Sequence, residues 1–454
     1  MLSPSGRPTF DPASTTGEVA GKSSIMVRGG EDGGRWAREG LAANGSINST
    51  GNNALPKPLG DGGSLSRDLG ALPSLADRWE TCNGGRPSQL QSLVLPAMMG
   101  YRDVLYSAWR DKDARELRWA YALHALNHTL TSRKRVIRHN RRIRADQGRA
   151  RVKEALVHQE EEKEEDDQAR SMALEGGING QGKGTPAPAV TFIGDDSEAE
   201  AGDRYRDQGF TRPKVVVLLP FRGLAFEVVE AMVGILGPKT SVSNWERFVD
   251  EYGPADDEEG DNSNGEGGAR AGARGEEGRA ERVRTIIAQK PRDWQALMGE
   301  GRDVDDMFSM GMALTPGGGK GRESEGKGVG LRLYVDFYQS DIIVASPVAL
   351  HRAAGGGGDD ADSDFLSSVE VCILDRADVF LMQNWAFLPE LVGVMNAQPS
   401  GQQAAQADFA RVRPFLLHGQ GRLFRQTIIF SAIQVVVSTV EQCDTTAQYS
   451  TAQG

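Results

Sequence analysis

Cysteine is scarce: Cys82, Cys372 and Cys443 are the only three in 454 residues, and no two form a Cys-x-x-Cys pair. That excludes a disulfide framework and a zinc site of the usual spacing, and it makes a reducing compartment the expectation. No apolar run approaches twenty residues, and the N-terminus has neither the charged nor the apolar region of a secretory signal. A soluble intracellular protein without membrane association is therefore expected. Basic residues are in deficit, with 52 Lys and Arg against 63 Asp and Glu and a net charge of −11. A protein that coats nucleic acid over its whole surface is excluded by that balance, because phosphate affinity comes from Lys and Arg. A local basic patch is not.

Glycine, in contrast, numbers 56 and crowds into low-complexity tracts. Residues 1–85 mix Gly, Ser, Asn, Pro and Arg without a helix or strand period. Ordering them would cost backbone entropy with little apolar burial in return, so they read as disordered. Residues 95–157 read as a helical segment, in which Trp119, Leu123, Leu126 and Leu130 recur as one apolar helix face. The helix runs on into a basic stretch carrying Arg133, Lys134, Arg135, Arg138, Arg141, Arg142, Arg144, Arg149, Arg151 and Lys153 against the single acid Asp146. Those positions cover most of the helix circumference, which suits a polyanion better than a packed core. An acidic block from His158 then opens a linker over 158–207.

From residue 208 to 434 short apolar strands alternate with helical patterns. KVVVLLP, DIIVAS, VEVCILD and QTIIFSA are continuous apolar runs of the doubly buried type. The fold class expected is α/β: a single RecA-like parallel sheet of the P-loop-NTPase type with flanking helices and Gly-rich insertions, preceded by the helical segment and the disordered regions. Residues 435–454 read as a divergent tail.

Four strand ends follow the order of a superfamily 2 RNA helicase's first RecA-like domain. PFRGLA (220–225) resembles PTRELA, ASPVAL (345–350) resembles TPGRL, LDRAD (374–378) resembles DEAD, and FSA (430–432) resembles the Ser-Ala-Thr strand end. The ATPase parts do not follow. A phosphate loop needs Gly-x-x-x-x-Gly-Lys-Ser/Thr between strand and helix. GINGQGK (177–183) has the spacing but is followed by Gly184, and no strand precedes it. Arg376 stands where the catalytic glutamate would be, a like charge beside any metal. Asp375 and Asp378 then read as capping acids of the next helix, with a weak magnesium or RNA contact as the alternative. His124 and His128, four apart, read as a hydrogen-bonded buried pair with no third metal ligand in view.

Several longer blocks, among them ALHALNH, FYQSDII and ADVFLMQNW, resemble the digestive organ expansion factor family, also called U3 small nucleolar RNA-associated protein 25. The resemblance covers roughly residues 95–145 and 208–434. It implies a helicase-like, non-catalytic nucleolar protein of the small-subunit processome, acting in pre-rRNA processing with rRNA, U3 small nucleolar RNA and other processome proteins as partners. It implies no cofactor and no metal. The RNA-contact candidates it adds to the basic helix are Phe221, Arg222, Ser346 and Pro347. Asp375, Arg376, Ala377 and Asp378 become the degenerate strand end, and Gln383, Asn384 and Trp385 a partner surface. The family's second helicase-like half is expected to be missing. The competing readings are an active ATP-dependent helicase, with Lys183 as its phosphate lysine and Asp375 on magnesium, and a pure protein-binding adaptor.

Overall fold

The computed structural model describes residues 24–28, 37–40, 57–60, 62–175, 205–253, 304–315, 328–356, 362–382, 385–400 and 407–433. Among these residues, ten strands form one sheet: β1 (Ser24–Arg28), β2 (Ala37–Gly40), β3 (Asp103–Tyr106), β4 (Val215–Leu218), β5 (Ser241–Ser243), β6 (Ser309–Thr315), β7 (Gly330–Val335), β8 (Ile342–Ala345), β9 (Val371–Asp375) and β10 (Gln426–Phe430). Their spatial order is β2-β1-β3-β10-β9-β4-β8-β6-β7-β5.

The five central strands, β3-β10-β9-β4-β8, are parallel. Each of β4, β8 and β9 is buried at every position, because helices cover both faces and there is no solvent side to alternate with. The flanks correct the expectation of an all-parallel sheet. β6 runs antiparallel to β8 and β7, and β1 runs antiparallel to β2 and β3. No described crossover helix joins β6 to β7, so the chain turns back on itself, as a parallel pair could not. At Gly311 the β6–β7 register shifts, and a Cβ there would lie 2.2 Å from the Val335 carbonyl oxygen, so only glycine lets the strands approach so closely.

The helices are α1 (Leu65–Leu69), α2 (Pro73–Asn83), α3 (Gln89–Met99), α4 (Asp111–Glu175), α5 (Arg222–Leu236), α6 (Trp245–Tyr252), α7 (Pro347–Ala353), α8 (Ala377–Met382), α9 (Phe387–Val394) and α10 (Pro414–Leu417). One apolar core joins α1 through α6 to one face of the sheet, and a second joins α7, α8 and α9 to the other. This is a three-layer sandwich.

The first two helices correct the disordered reading of residues 1–85 over its last third. Trp79 is fully buried, and its indole N–H donates to the Trp119 carbonyl at 2.8 Å. Leu65, Leu75 and Ala76 are too few to reveal a core by themselves, but they find one ready-made on α4 and α5.

Helix α4 has 65 residues, about 97 Å at 1.5 Å per residue. Positions 120–130 are buried all round apart from none, because the sheet lies on one side and α2 and α3 on the other. The expected single apolar face was too narrow. Beyond residue 130, polar contacts tie the helix down: Arg133 faces Asp341 at 3.6 Å, His139 meets Asp207 at 2.8 Å, and Asn140 accepts from Arg411 at 2.6 Å. The helix continues through the acidic block to Glu175, which moves the start of the linker past 158. Glu, Lys, Gln and Ala are strong helix formers, and the composition that reads as a tether is also a helical one. GINGQGK and the tail from 434 lie outside the described residues.

Candidate functional site

Three parallel strands end side by side, with Phe430 of β10 in register with Tyr106 of β3 and with Asp375 of β9. Ligands of open α/β sheets bind at such carboxyl ends. The strand-loop-helix unit beside Asp375 is β3, Ser107–Arg110 and α4, which is where the topology of a P-loop protein would put its phosphate cradle. The sequence reading looked for that cradle near residue 180 and missed this one.

The loop from 107 to 110 contains no glycine. The Trp109 amide donates to the Ser431 carbonyl at 3.0 Å, and the buried indole takes the Arg376 guanidinium over its face at 4.0 Å. The first turn of α4 carries Asp111 and Asp113. Acids there complement the positive helix end themselves and repel a phosphate.

Asp375 is fully buried. Its Oδ2 accepts from Arg118 Nε at 2.9 Å and from the Tyr121 hydroxyl at 3.0 Å, both on α4. Arg118 is also paired with Glu227 of α5. Burial works against the charge on Arg118, but the carboxylates of Asp375 and Glu227 outweigh it and raise its pKa above the ordinary value. Burial and the Asp375 charge push the Tyr121 hydroxyl well up, so it stays a donor. Arg376 sits in the left-handed region at φ 65° and pairs with Asp378, Nη2 to Oδ2 at 3.0 Å. Asp378 Oδ1 accepts the Ala432 amide at 3.1 Å, and Ala377 is buried at the start of α8.

These bonds correct the capping reading of the two acids. Asp375 anchors α4 to the sheet, and Asp378 ties Arg376 to the end of β10. Trp109, Arg118, Tyr121 and Glu227 were not picked out from sequence. The available signal was a charged Arg118 set between Leu117 and Trp119 on an otherwise apolar face.

The other helicase-like strand ends are also turned inward. Phe221 is buried at the N-cap of α5, and Arg222 pairs with Asp305 and lies 5.6 Å from the Tyr252 ring centroid. Ser346 is buried and accepts the Ala349 amide at 3.1 Å as the N-cap of α7, with Pro347 buried beside it. Burial corrects the reading of Phe221, Ser346 and Pro347 as surface contacts to RNA. Trp385 packs half-buried against the second core, whereas Gln383 and Asn384 lie outside the described residues.

His124 and His128 form the expected buried pair. His124 meets Gln426 Oε1 at 2.7 Å, and His128 meets Glu370 at 3.1 Å and the Tyr101 hydroxyl at 2.8 Å. Burial, reinforced by His128, lowers the His124 pKa to about 3. Glu370 is paired with Lys214 and Arg413 at 2.8 Å each; burial opposes its charge, and Lys214, His128 and Arg413 together hold its carboxyl well below the usual range.

The basic stretch divides in two. Arg133 is half-buried and shares Asp341 with Arg212, so it is structural. Lys134, Arg135, Arg138, Arg141, Arg142 and Arg144 are exposed, with no ion pair among the described residues. Among those residues no cluster of His, Cys, Asp and Glu could hold a metal, and no helix is long and apolar enough to cross a membrane.

A family model described as "UTP25, NTP hydrolase-like domain" matches residues 101–172 and 189–443. The chain is 38% identical over 244 residues to Protein NUCLEOLAR FACTOR 1 of Arabidopsis thaliana, covering 52% of this chain and 29% of that protein. It is 31% identical over 351 residues to the U3 small nucleolar RNA-associated protein 25 homolog of Homo sapiens, covering 76% and 34%. Against U3 small nucleolar RNA-associated protein 25 of Schizosaccharomyces pombe the identity is 29% over 366 residues, covering 80% and 41%. The matched part is thus about a third of the length of these relatives.

Proposed function

The chain belongs to the UTP25 family, and on that premise we propose that it is a non-catalytic, RNA-associated component of the small-subunit processome. In this reading it acts in the nucleolus, in pre-rRNA processing and small-subunit rRNA maturation, alongside U3 small nucleolar RNA, rRNA and other processome proteins. The relatives' names supply the nucleolar and U3 setting. The observation that carries the non-catalytic part is the bond from Arg118 to Asp375: the acid that would hold magnesium is already paired with a buried cation. A metal would have to displace a charge-assisted contact that also holds α4 on the sheet.

RNA association rests on the exposed basic side of α4. It is tested by RNA affinity as a function of salt, with Arg138, Arg141, Arg142 and Arg144 replaced by Gln. If all four meet phosphates, the slope of log affinity against log salt falls by about 3 for a single strand. An unchanged slope moves the contact elsewhere.

Calorimetry with magnesium and ATP, on the chain and on Lys183→Ala, tests the enzyme reading. No binding by the folded chain is expected. Micromolar binding lost in Lys183→Ala would restore the helicase.

A further inference from the structure

The entry to β10 lies beside the entry to β3. Gln426 Nε2 donates to the Arg102 carbonyl at 2.7 Å, and the Thr427 amide donates to Asp103 Oδ1 at 2.7 Å. Exposed rings gather at this N-terminal end of the sheet, away from the filled carboxyl end. Tyr101 is 52% exposed and Phe424 59%, and Phe424 stacks on Phe415 with centroids 4.3 Å apart. Tyr101 is held in place at φ 54° by its hydroxyl on His128, which leaves the ring side outward.

Basic side chains of α4 flank the rings. Arg135 is near enough to Tyr101 for its charge to act on the hydroxyl, as is Arg413, which directly precedes Pro414 and Phe415. Arg411 on Asn140 and His139 on Asp207 hold the segment from 408 to 413 against the same stretch of α4. Arg135, Arg138 and Arg142 recur at spacings of three and four, so they share one side of the helix.

Rings of this kind, left in water, need a ligand with flat apolar faces. Guanidinium groups without carboxylate partners need a polyanion. An unpaired nucleic-acid strand has both, whereas a duplex keeps its bases stacked and offers only phosphate and sugar.

We propose that Tyr101 and the Phe415–Phe424 stack form a platform for unpaired RNA bases, with Arg135, Arg138 and Arg142 holding the phosphates. The proposal rests on the RNA reading above and adds the ligand form and the surface. It places RNA at the end of the sheet opposite to the strand ends that resemble helicase motifs.

The test uses the full chain with a fluorescent mixed-sequence single-stranded RNA of about a dozen nucleotides and a duplex of equal length. The expected result is tighter binding of the single strand. Tyr101→Ala and Phe424→Ala should each weaken it about tenfold and leave the salt slope unchanged, while Tyr101→Phe keeps the affinity. Phe424 is exposed, so its variant carries the test even if Tyr101→Ala fails to fold. Wild-type affinity in Phe424→Ala and Tyr101→Ala overturns the platform while the RNA reading stands. Absence of RNA binding by the wild-type chain overturns both, and assigns the rings to a protein partner.

Discussion

Arg118 Nε lies 2.9 Å from Asp375 Oδ2 although the two residues are 257 positions apart. One bond joins the long helix to the strand end where a helicase would hold its metal. It makes the acid a structural anchor, and the stability of the whole sandwich becomes sensitive to it.

Arg118→Met leaves Asp375 buried without its cation, which should destabilise the fold by about 3–5 kcal/mol. The double variant Arg118→Met with Asp375→Leu should recover part of the loss, since it removes both charges. Urea denaturation of the single and double variants measures the coupling. Simple additivity would mean that the pair does not act as a unit.

Arg376→Glu restores the DEAD-like spelling at the strand end, but activity is not expected to follow. The new carboxylate faces buried Asp378, and Trp109 still fills the space over it. Phosphate release with ATP and magnesium should stay at background, and the melting temperature should fall. Hydrolysis by this variant would show that one residue separates the chain from an enzyme.

His124 predicts acid sensitivity. It titrates near 6.5 when unfolded and near 3 when folded, so between those values the unfolded chain binds the extra proton. Stability should therefore fall as pH drops below about 6.5, by up to ~1.4 kcal/mol per pH unit for this one proton. Above pH 5 the ionised form of Glu370 remains in place, so denaturation curves between pH 7 and 5 isolate the histidine. His124→Gln should show a shallower pH slope; an equal slope would assign the proton to another group.

Glu370→Gln removes the counter-charge shared by Lys214, Arg413 and His128. Lys214 and Arg413 would then face each other with little to offset their repulsion. A loss of about 3–5 kcal/mol is expected. Hydrogen exchange checks it, with faster exchange at the starts of β4 and β9 as the local signature.

The strands of the central sheet were readable from sequence because a strand buried on both faces must be apolar throughout, as in KVVVLLP and VEVCILD. The order of the four helicase-like strand ends was readable for the same reason, and with it the family. The basic side of α4 was equally plain, since ten cations against one acid cannot be packed away.

What sequence could not supply was partnership. Whether Asp375 caps a helix, holds a metal or meets an arginine is decided by what lies next to it, and Arg118 comes from a helix more than 250 residues away. The same holds for Trp79, whose sparse surroundings looked disordered until α4 and α5 offered a surface to pack on. It holds for the antiparallel flanks of the sheet, where the return of the chain and not its composition sets strand direction. Composition and periodicity determine which residues must leave water. Only the tertiary structure decides which of the remaining charges and rings they leave facing one another, because that depends on contacts between segments with no spacing in common.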